Sequence, residues 1–440
     1  MIVRNNLLKR FTLLAIISAA LCLLSAMAAK KPTDLPAPDA TIFLTGNELG
    51  ELKPCGCSGG QLGGLDRRKA VLDTAPAEKR LILDTGNLLK NRDQQAMIKF
   101  DILMQAYQLL DYDMLRFTAD DGDMAMQAGT DPENLKFTVI NAADPVLGNT
   151  FSKSIPTDQG ELTINIADFN ADIQQIDNIA NLFEPAPLTY NILIVNNCPD
   201  NLAQQILTDY PVDCLICPAV YDEPAVEPGP GNSLFVTVGK FGKYVARLDL
   251  RTSPSRKKPR VDFAVDAVTE DLPVNPQLAQ LYKYYQQLLK DADLLEQHPR
   301  FSLPGKLRYL GNDSCKMCHQ YEYDKWSTKE HAHAWETLVK VGSQYDPECV
   351  VCHVVGMDYE SGFVNEDSPD DLRDVGCENC HGPGSEHVKT FGKTPPGQPK
   401  MSCLTCHTPE NSANYASNEL EYYNKIIHWR EPNSPADVKE

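Results

Sequence analysis

Apolar residues fall along the first half of this chain as short β-branched runs, at residues 41–45, 80–83, 190–195, 213–216 and 234–238. Runs of that length read as buried strands, and residues 94–110 and 201–207 between them carry helical periodicity. Strands alternating with helices predict a layered α/β domain over residues 39–251. Residues 239–250 read as a hairpin-like pair that closes it. A stretch rich in Ser, Pro, Lys and Arg at 252–260 opens an expected linker, 252–306. Within that linker, residues 275–297 form an amphipathic helix with Leu278, Leu281, Tyr282, Tyr285, Leu288 and Leu289 on one side. The helix is expected to be a strut between this domain and a second one, 307–440. There Pro383, Gly384, Pro395, Pro396, Gly397 and Pro399 favour turns over long helices. The fold class is therefore multidomain, a layered α/β domain followed by a mainly α and irregular one.

The first residues add a targeting segment. Arg4, Lys9 and Arg10 precede an apolar run at 11–28 that ends on Ala26-Met27-Ala28, the layout of a signal peptide over 1–29. An exported, periplasmic location is expected. At 18 residues the run is at the lower edge of what spans a bilayer, so an uncleaved anchor is the alternative. A net charge of −19 argues against nucleic acid or an anionic membrane surface as partner and favours a protein with a basic docking face.

The 14 cysteines would ordinarily suggest disulfides in an exported protein, but their spacing says otherwise. Eight of them form four copies of one pattern: Cys315-Lys-Met-Cys318-His319, Cys349-Val-Val-Cys352-His353, Cys377-Glu-Asn-Cys380-His381 and Cys403-Leu-Thr-Cys406-His407. Two thiols so spaced can form thioethers to the vinyl groups of one porphyrin, and the following histidine can reach its iron as proximal ligand. Chance would place about 0.01 such patterns in the chain, so four of them point to four covalent haems c. Zinc sites also use cysteine pairs, yet zinc does not require a histidine after each. The attachment cysteines leave about 25–35 residues per haem, too few for a conventional core, so the haems themselves must be the core.

Each iron needs a second ligand to be closed. His331, His333, His387 and His428 are the candidates, and only His298 lies outside this region. Two histidines on one iron suit electron transfer, whereas a missing distal ligand leaves room for a small molecule. His331 and His333, two positions apart, point to different sides of a helix and could serve two haems, or one could be idle.

The motifs, with Trp326, His331-Ala332-His333-Ala334, Val375-Gly376-Cys377 and the run His381-Gly382-Pro383-Gly384-Ser385-Glu386-His387, resemble the tetrahaem cytochrome c family that includes the nitrification electron carrier. The likeness covers roughly 307–440. It implies His331, His387 and His428 as distal ligands. It also implies that one haem can lack such a ligand, with the haem on His353 the first choice, although His333 could fill that place.

The upstream strands, with Gly63-Gly64-Leu65 and Asp84-Thr85-Gly86-Asn87 between them, are similar to nucleotidase-type calcineurin-like metallophosphoesterases over about 39–250. Where that family has its first Asp and His ligands this chain has Asn47 and Leu49, and the bridging aspartate is Asn87. The family's Asn-His-Glu stretch falls near Ala119-Asp120-Asp121, and its late histidines near Asn196-Asn197 and at 218–221. A two-metal hydrolase needs those carboxylates and imidazoles, so the resemblance implies a degenerate domain without phosphoesterase activity. The same alignment gathers Cys55, Cys57, Cys198 and Cys217 at strand ends around the old metal site. They are expected either as disulfides or as a thiolate site for a soft metal or redox exchange, with Cys214 apart.

Three functions follow. The favoured one is an electron carrier between redox partner proteins, with the upstream domain docking or binding. The alternatives are a reductase or oxidase of a small nitrogen or sulfur compound at an open haem, and a redox- or ligand-sensing binding protein.

Overall fold

β1 (Ala40–Thr45) is buried at all six positions, as its apolar run requires of a strand covered on both faces. It pairs in parallel with β2 (Arg80–Asp84), and the sheet continues in parallel through β3 (Met114–Arg116) to β4 (Thr138–Ile140). The next six strands build a second sheet. They are β5 (Thr150–Thr157), β6 (Gly160–Phe169), β7 (Thr189–Val195), β8 (Cys214–Cys217), β9 (Ala225–Pro228) and β10 (Leu234–Thr237), arranged β5-β6-β7-β8-β10-β9. The chain then returns to the first sheet, where β11 (Tyr244–Arg251) runs antiparallel to β1 and β12 (Arg260–Ala267) antiparallel to β11.

Alternation along β1 sorts the layers. Ile42 sits between Leu81 and Leu248, and Leu44 between Leu83 and Ala246, all facing the second sheet's Ile164, Ile192, Ile194 and Ile216. Phe43 points the other way, into a core with Ile82, Phe100, Leu103 and Tyr107. That outer core is supplied by α1 (Leu65–Leu72), α2 (Gln94–Leu109) and α3 (Ala119–Ala128). α4 (Asp200–Asp209) covers the far face of the second sheet with Ala203, Ile206 and Leu207. The result is a two-sheet α/β sandwich with helices outside both sheets.

Two expectations change. Residues 239–250 are no hairpin: β10 and β11 belong to different sheets, and the chain crosses between them through Phe241 and Gly242, at φ 59° and 58°. The span expected as linker contains β12, whose sequence alternates polar and apolar residues and completes the sheet edge. The amphipathic helix is present as α5 (Pro276–Asp291), capped by Asn275, whose side chain accepts from the N–H groups of Gln277 and Leu278. It stops at Asp293, φ 49°, before a short helical turn, Leu294–Gln297.

The structure describes residues 36–54, 60–184, 186–218, 221–395, 397, 403–412 and 414–429. The expected signal segment, Cys55 and Cys57 lie outside them. The chain divides into Met1–Pro38 and Asp39–Glu440, and every element named here belongs to the second unit.

From residue 307 on the elements are short: Asn312–Lys316, Gln320–Trp326, Ala334–Val341, Pro347–Val350, Cys377–His381, Ser385–Lys389, Cys403–Cys406 and Glu419–Ile426. Their apolar core is small, built on Trp335, Leu338, Val350, Val354 and Phe363. A buried polar network ties this region to the sandwich. Gln95 on α2 donates to Asp346 at 2.8 Å and to the Tyr285 hydroxyl on α5 at 2.9 Å, while that hydroxyl donates to Asp346 at 3.2 Å. Lys99, one turn along α2, reaches Glu348 at 2.7 Å. Glu348 immediately precedes Cys349, and Asp346 stands three positions before it.

Candidate haem-binding site

Each Cys-x-x-Cys-His motif is wound into about one helical turn. The N–H of His319 donates to the Cys315 carbonyl at 3.0 Å and that of His407 to Cys403 at 2.7 Å, while His353 bonds back to Val350 at 2.8 Å. In such a turn positions i, i+3 and i+4 share one face, so both thiols and the imidazole of a motif can address one group. Cys315 lies beside Cys377, and Cys352 beside Cys406, each pair in side-chain contact. The first motif therefore neighbours the third, and the second neighbours the fourth.

The remaining histidines meet the motif histidines in pairs. Ring centres are 6.0 Å apart for His319 and His387, 6.2 Å for His331 and His407, and 6.3 Å for His381 and His428. Two imidazoles on one metal ion, with nitrogen bonds of about 2.0–2.1 Å and ring centres about 1.1 Å behind each nitrogen, stand about 6.2–6.4 Å apart. Two of the separations fall in that span and the third, 6.0 Å, lies just under it. His387, His331 and His428 are the distal candidates so placed. His333 is more than half exposed, with its Nε2 3.1 Å from the Ser327 carbonyl and its Nδ1 3.8 Å from Glu336.

Several Nδ1 atoms are held from behind. That of His353 donates to the Ala334 carbonyl at 2.6 Å, that of His387 to Thr394 at 2.7 Å, that of His381 to Gly397 at 3.3 Å and that of His428 to Ile426 at 2.9 Å. A carbonyl can only accept, so the proton sits on Nδ1 and Nε2 is left for a metal. Burial also holds His331, His353, His381 and His407 below the usual imidazole pKa, which favours the neutral, ligating form.

A cavity of about 1270 Å³ runs between the second and fourth motifs. Cys349, Cys352 and His353 line it on one side and Cys403, Cys406 and His407 on the other, with His331 among them. Its volume exceeds the usual range of about 300–1,000 Å³ for one small ligand. Paired thiols, imidazoles at metal-bridging separation and a cavity of this size together fit a covalently bound porphyrin. One wall comes from the sandwich, through Gly50, Glu51, Leu52, Lys53 and Lys99. Nothing in the sequence pointed to that wall, nor to the carbonyls behind the imidazoles, because both are brought in by folding.

The strand ends of the sandwich hold different chemistry. Asn87 donates to the Asn47 side chain at 2.8 Å, and Asp121 accepts from the N–H groups of Asn87 and Leu88. Beside them Arg68 and Glu48 form a buried ion pair at 2.6 Å. Among the described residues no group of three or more His, Cys, Asp and Glu side chains could hold a metal ion. Cys198 and Cys217 are in side-chain contact, while Cys214 turns to Tyr190 between the sheets.

Comparison with known proteins places the C-terminal chemistry in a class, the c-type cytochromes. Residues 314–382, which contain the first three motifs, match the family model described as cytochrome c554 and c-prime, and this match implies covalently bound haem c. A curated relative, cytochrome c-554 of Nitrosomonas europaea, is 34% identical over 98 residues, 19% of this chain and 42% of its own length. Solved structures similar to the sandwich include a sulfate thiohydrolase SoxB of Thermus thermophilus, 12% identical with a TM-score of 0.44 over 59% of this chain and 62% of that one. The NAD nucleotidase of Haemophilus influenzae is 13% identical, with a TM-score of 0.42 over 62% and 63%. The chain thus spans less than two thirds of these relatives. Among the described residues no helix is long and apolar enough to cross a membrane.

Proposed function

We propose that this chain is an exported, periplasmic tetrahaem cytochrome c that relays electrons between redox partner proteins, with the sandwich as an inactive phosphoesterase-like region for docking or binding. The observation that carries this reading is the set of three histidine pairs at 6.0, 6.2 and 6.3 Å. Cys315 and Cys318, Cys349 and Cys352, Cys377 and Cys380, and Cys403 and Cys406 would hold the four porphyrins. His319, His353, His381 and His407 would be the proximal ligands. Bound haem supplies a one-electron iron couple. The chain's own work is to orient the imidazoles through their Nδ1 protons and, by burial, to hold His331, His353, His381 and His407 in the neutral form. Two closed axial positions favour electron transfer over chemistry at the iron. The contacts between Cys315 and Cys377 and between Cys352 and Cys406 support close haem-to-haem approach, which a relay needs. On the sandwich, the Asn47 and Asn87 pair supplies no carboxylate where a two-metal hydrolase needs one, which supports the inactive reading.

The test is mass spectrometry of protein made in an exporting host with haem-ligation machinery. Four haems per chain are expected, and fewer would overturn the tetrahaem reading. Hydrolysis of a nucleotide or phosphodiester above background with added manganese would overturn the inactive assignment.

A further inference from the structure

The wall that the sandwich lends to the haem cavity carries more charge than packing requires. Glu51 follows a tight turn through Leu49 and Gly50, at φ 53° and 80°, and its N–H donates to the Glu48 carbonyl at 3.0 Å. The turn rests on α2, so that a Cβ on Gly50 would meet the Lys99 side chain at 3.4 Å. Lys99 is itself committed to Glu348 at 2.7 Å, the residue before Cys349. Lys99 is thus a buried ammonium in contact with Glu348 and within charge reach of Asp346 and Glu51, at the edge of the cavity that Cys349, Cys352 and His353 line.

We infer that Glu51 is the proton-exchanging group of the haem site at Cys349, Cys352 and His353, taking up a proton when that iron is reduced and releasing it on oxidation. This rests on the haem-binding reading above. The charge balance is simple. Reduction adds one electron to the cavity, and Glu51, whose carboxylate has only a share of Lys99, can offset it by binding one proton from solvent. The electron comes from the redox partner the proposed function supplies. The groups that face Glu51 are Lys99 from α2, Glu348 from the segment before the motif, Lys90 from the loop after β2 and Glu48 from its own turn. Glu48 is held by Arg68, so it does not compete for Lys99. Burial and Glu348 outweigh the two lysines and push Glu51 up to about 7, where a small change in local charge moves its proton.

The experiment uses the full-length haem-loaded protein, poised at fixed potentials in an optically transparent cell. At one fixed potential, the reduced-to-oxidised ratio of one haem should fall by up to about tenfold per pH unit as pH rises through about 7, because the protonated form is the one reduction favours. Glu51→Gln should remove that dependence, and Glu51→Asp should restore it. Glu348→Gln frees Lys99 for Glu51, so the pH window should move lower; this variant decides the matter should Glu51→Gln fail to load haem. An unchanged pH dependence in Glu51→Gln, or an unmoved window in Glu348→Gln, overturns the inference while leaving the haem count intact. Mass spectrometry finding no porphyrin on Cys349 and Cys352 overturns it together with the haem reading at that motif.

Discussion

A histidine is useful to a metal only when its two nitrogens are told apart, and here backbone carbonyls do the telling. The Thr394 carbonyl accepts from Nδ1 of His387, which leaves Nε2 available to a metal, and the ring centres of His387 and His319 stand 6.0 Å apart. His387→Ala is accordingly expected to turn one haem from low-spin to high-spin, read by electron paramagnetic resonance. His333→Ala should leave the spin state unchanged, since His333 has its Nε2 on Ser327; a loss of low-spin signal there would reassign the distal ligand. The four Cys-x-x-Cys-His motifs were legible in the sequence because thioether attachment is a local pattern. The family likeness offered His387 as a distal candidate, but its pairing with His319 was not legible and comes from the fold. A second residue-scale consequence concerns Asp84. It accepts from Thr45, Gly86 and Tyr107 at 2.6, 2.8 and 3.2 Å, yet burial prevails and raises it to about 6. A carboxyl that binds its proton more tightly folded than unfolded makes the fold less stable as pH rises from about 4 to about 6, by ~3 kcal/mol for a two-unit shift. Asp84→Asn should flatten that part of the stability profile measured by denaturant titration. The same slope in wild type and variant would show that Asp84 does not cause it.

Strands covered on both faces announce themselves by an unbroken apolar run at their centre. β1, β2 and β7 are of this kind and were legible. β5 and β12 were not, since each exposes part of its length and mixes in charge; Arg260–Ala267 reads Arg-Val-Asp-Phe-Ala-Val-Asp-Ala. The helical breaks had local causes that spacing misses, such as Asp293 at positive φ ending α5. At this scale the parallel neighbours β7 and β8 matter most, for the loop after β7 brings Cys198 onto Cys217 at the end of β8. Oxidation is expected to join them, closing a loop of about 18 residues and stabilising the sandwich by ~3 kcal/mol. Peptide mapping after alkylation without reductant should recover the two as one linked pair and Cys214 as a free thiol that labels only on unfolding. Recovery of Cys198 and Cys217 both alkylated from oxidised protein would count against the pair.

For the molecule as a whole, the interaction that matters was the least legible. Gln95 and Asp346 are 251 positions apart, and no pattern links them. Their network is buried, and leaving one partner unsatisfied costs about 1–3 kcal/mol, so the sandwich and the second motif are mechanically joined. Charge acts over a longer range. The chain carries −19, and haem propionates would add to it. Exposed charges reach about 30 Å at 0.01 M salt but only about 8 Å at 0.15 M, and an acidic surface steers a basic partner most strongly where the reach is long. Electron exchange between the haem-loaded protein and a small basic redox protein should therefore slow several-fold across that range in stopped-flow mixing. The rate with an uncharged mediator should hardly change, since steering needs charge on both partners. A basic protein whose rate ignores salt would place the electron-exchange surface away from the acidic field, and the expected basic docking face would then be wrong.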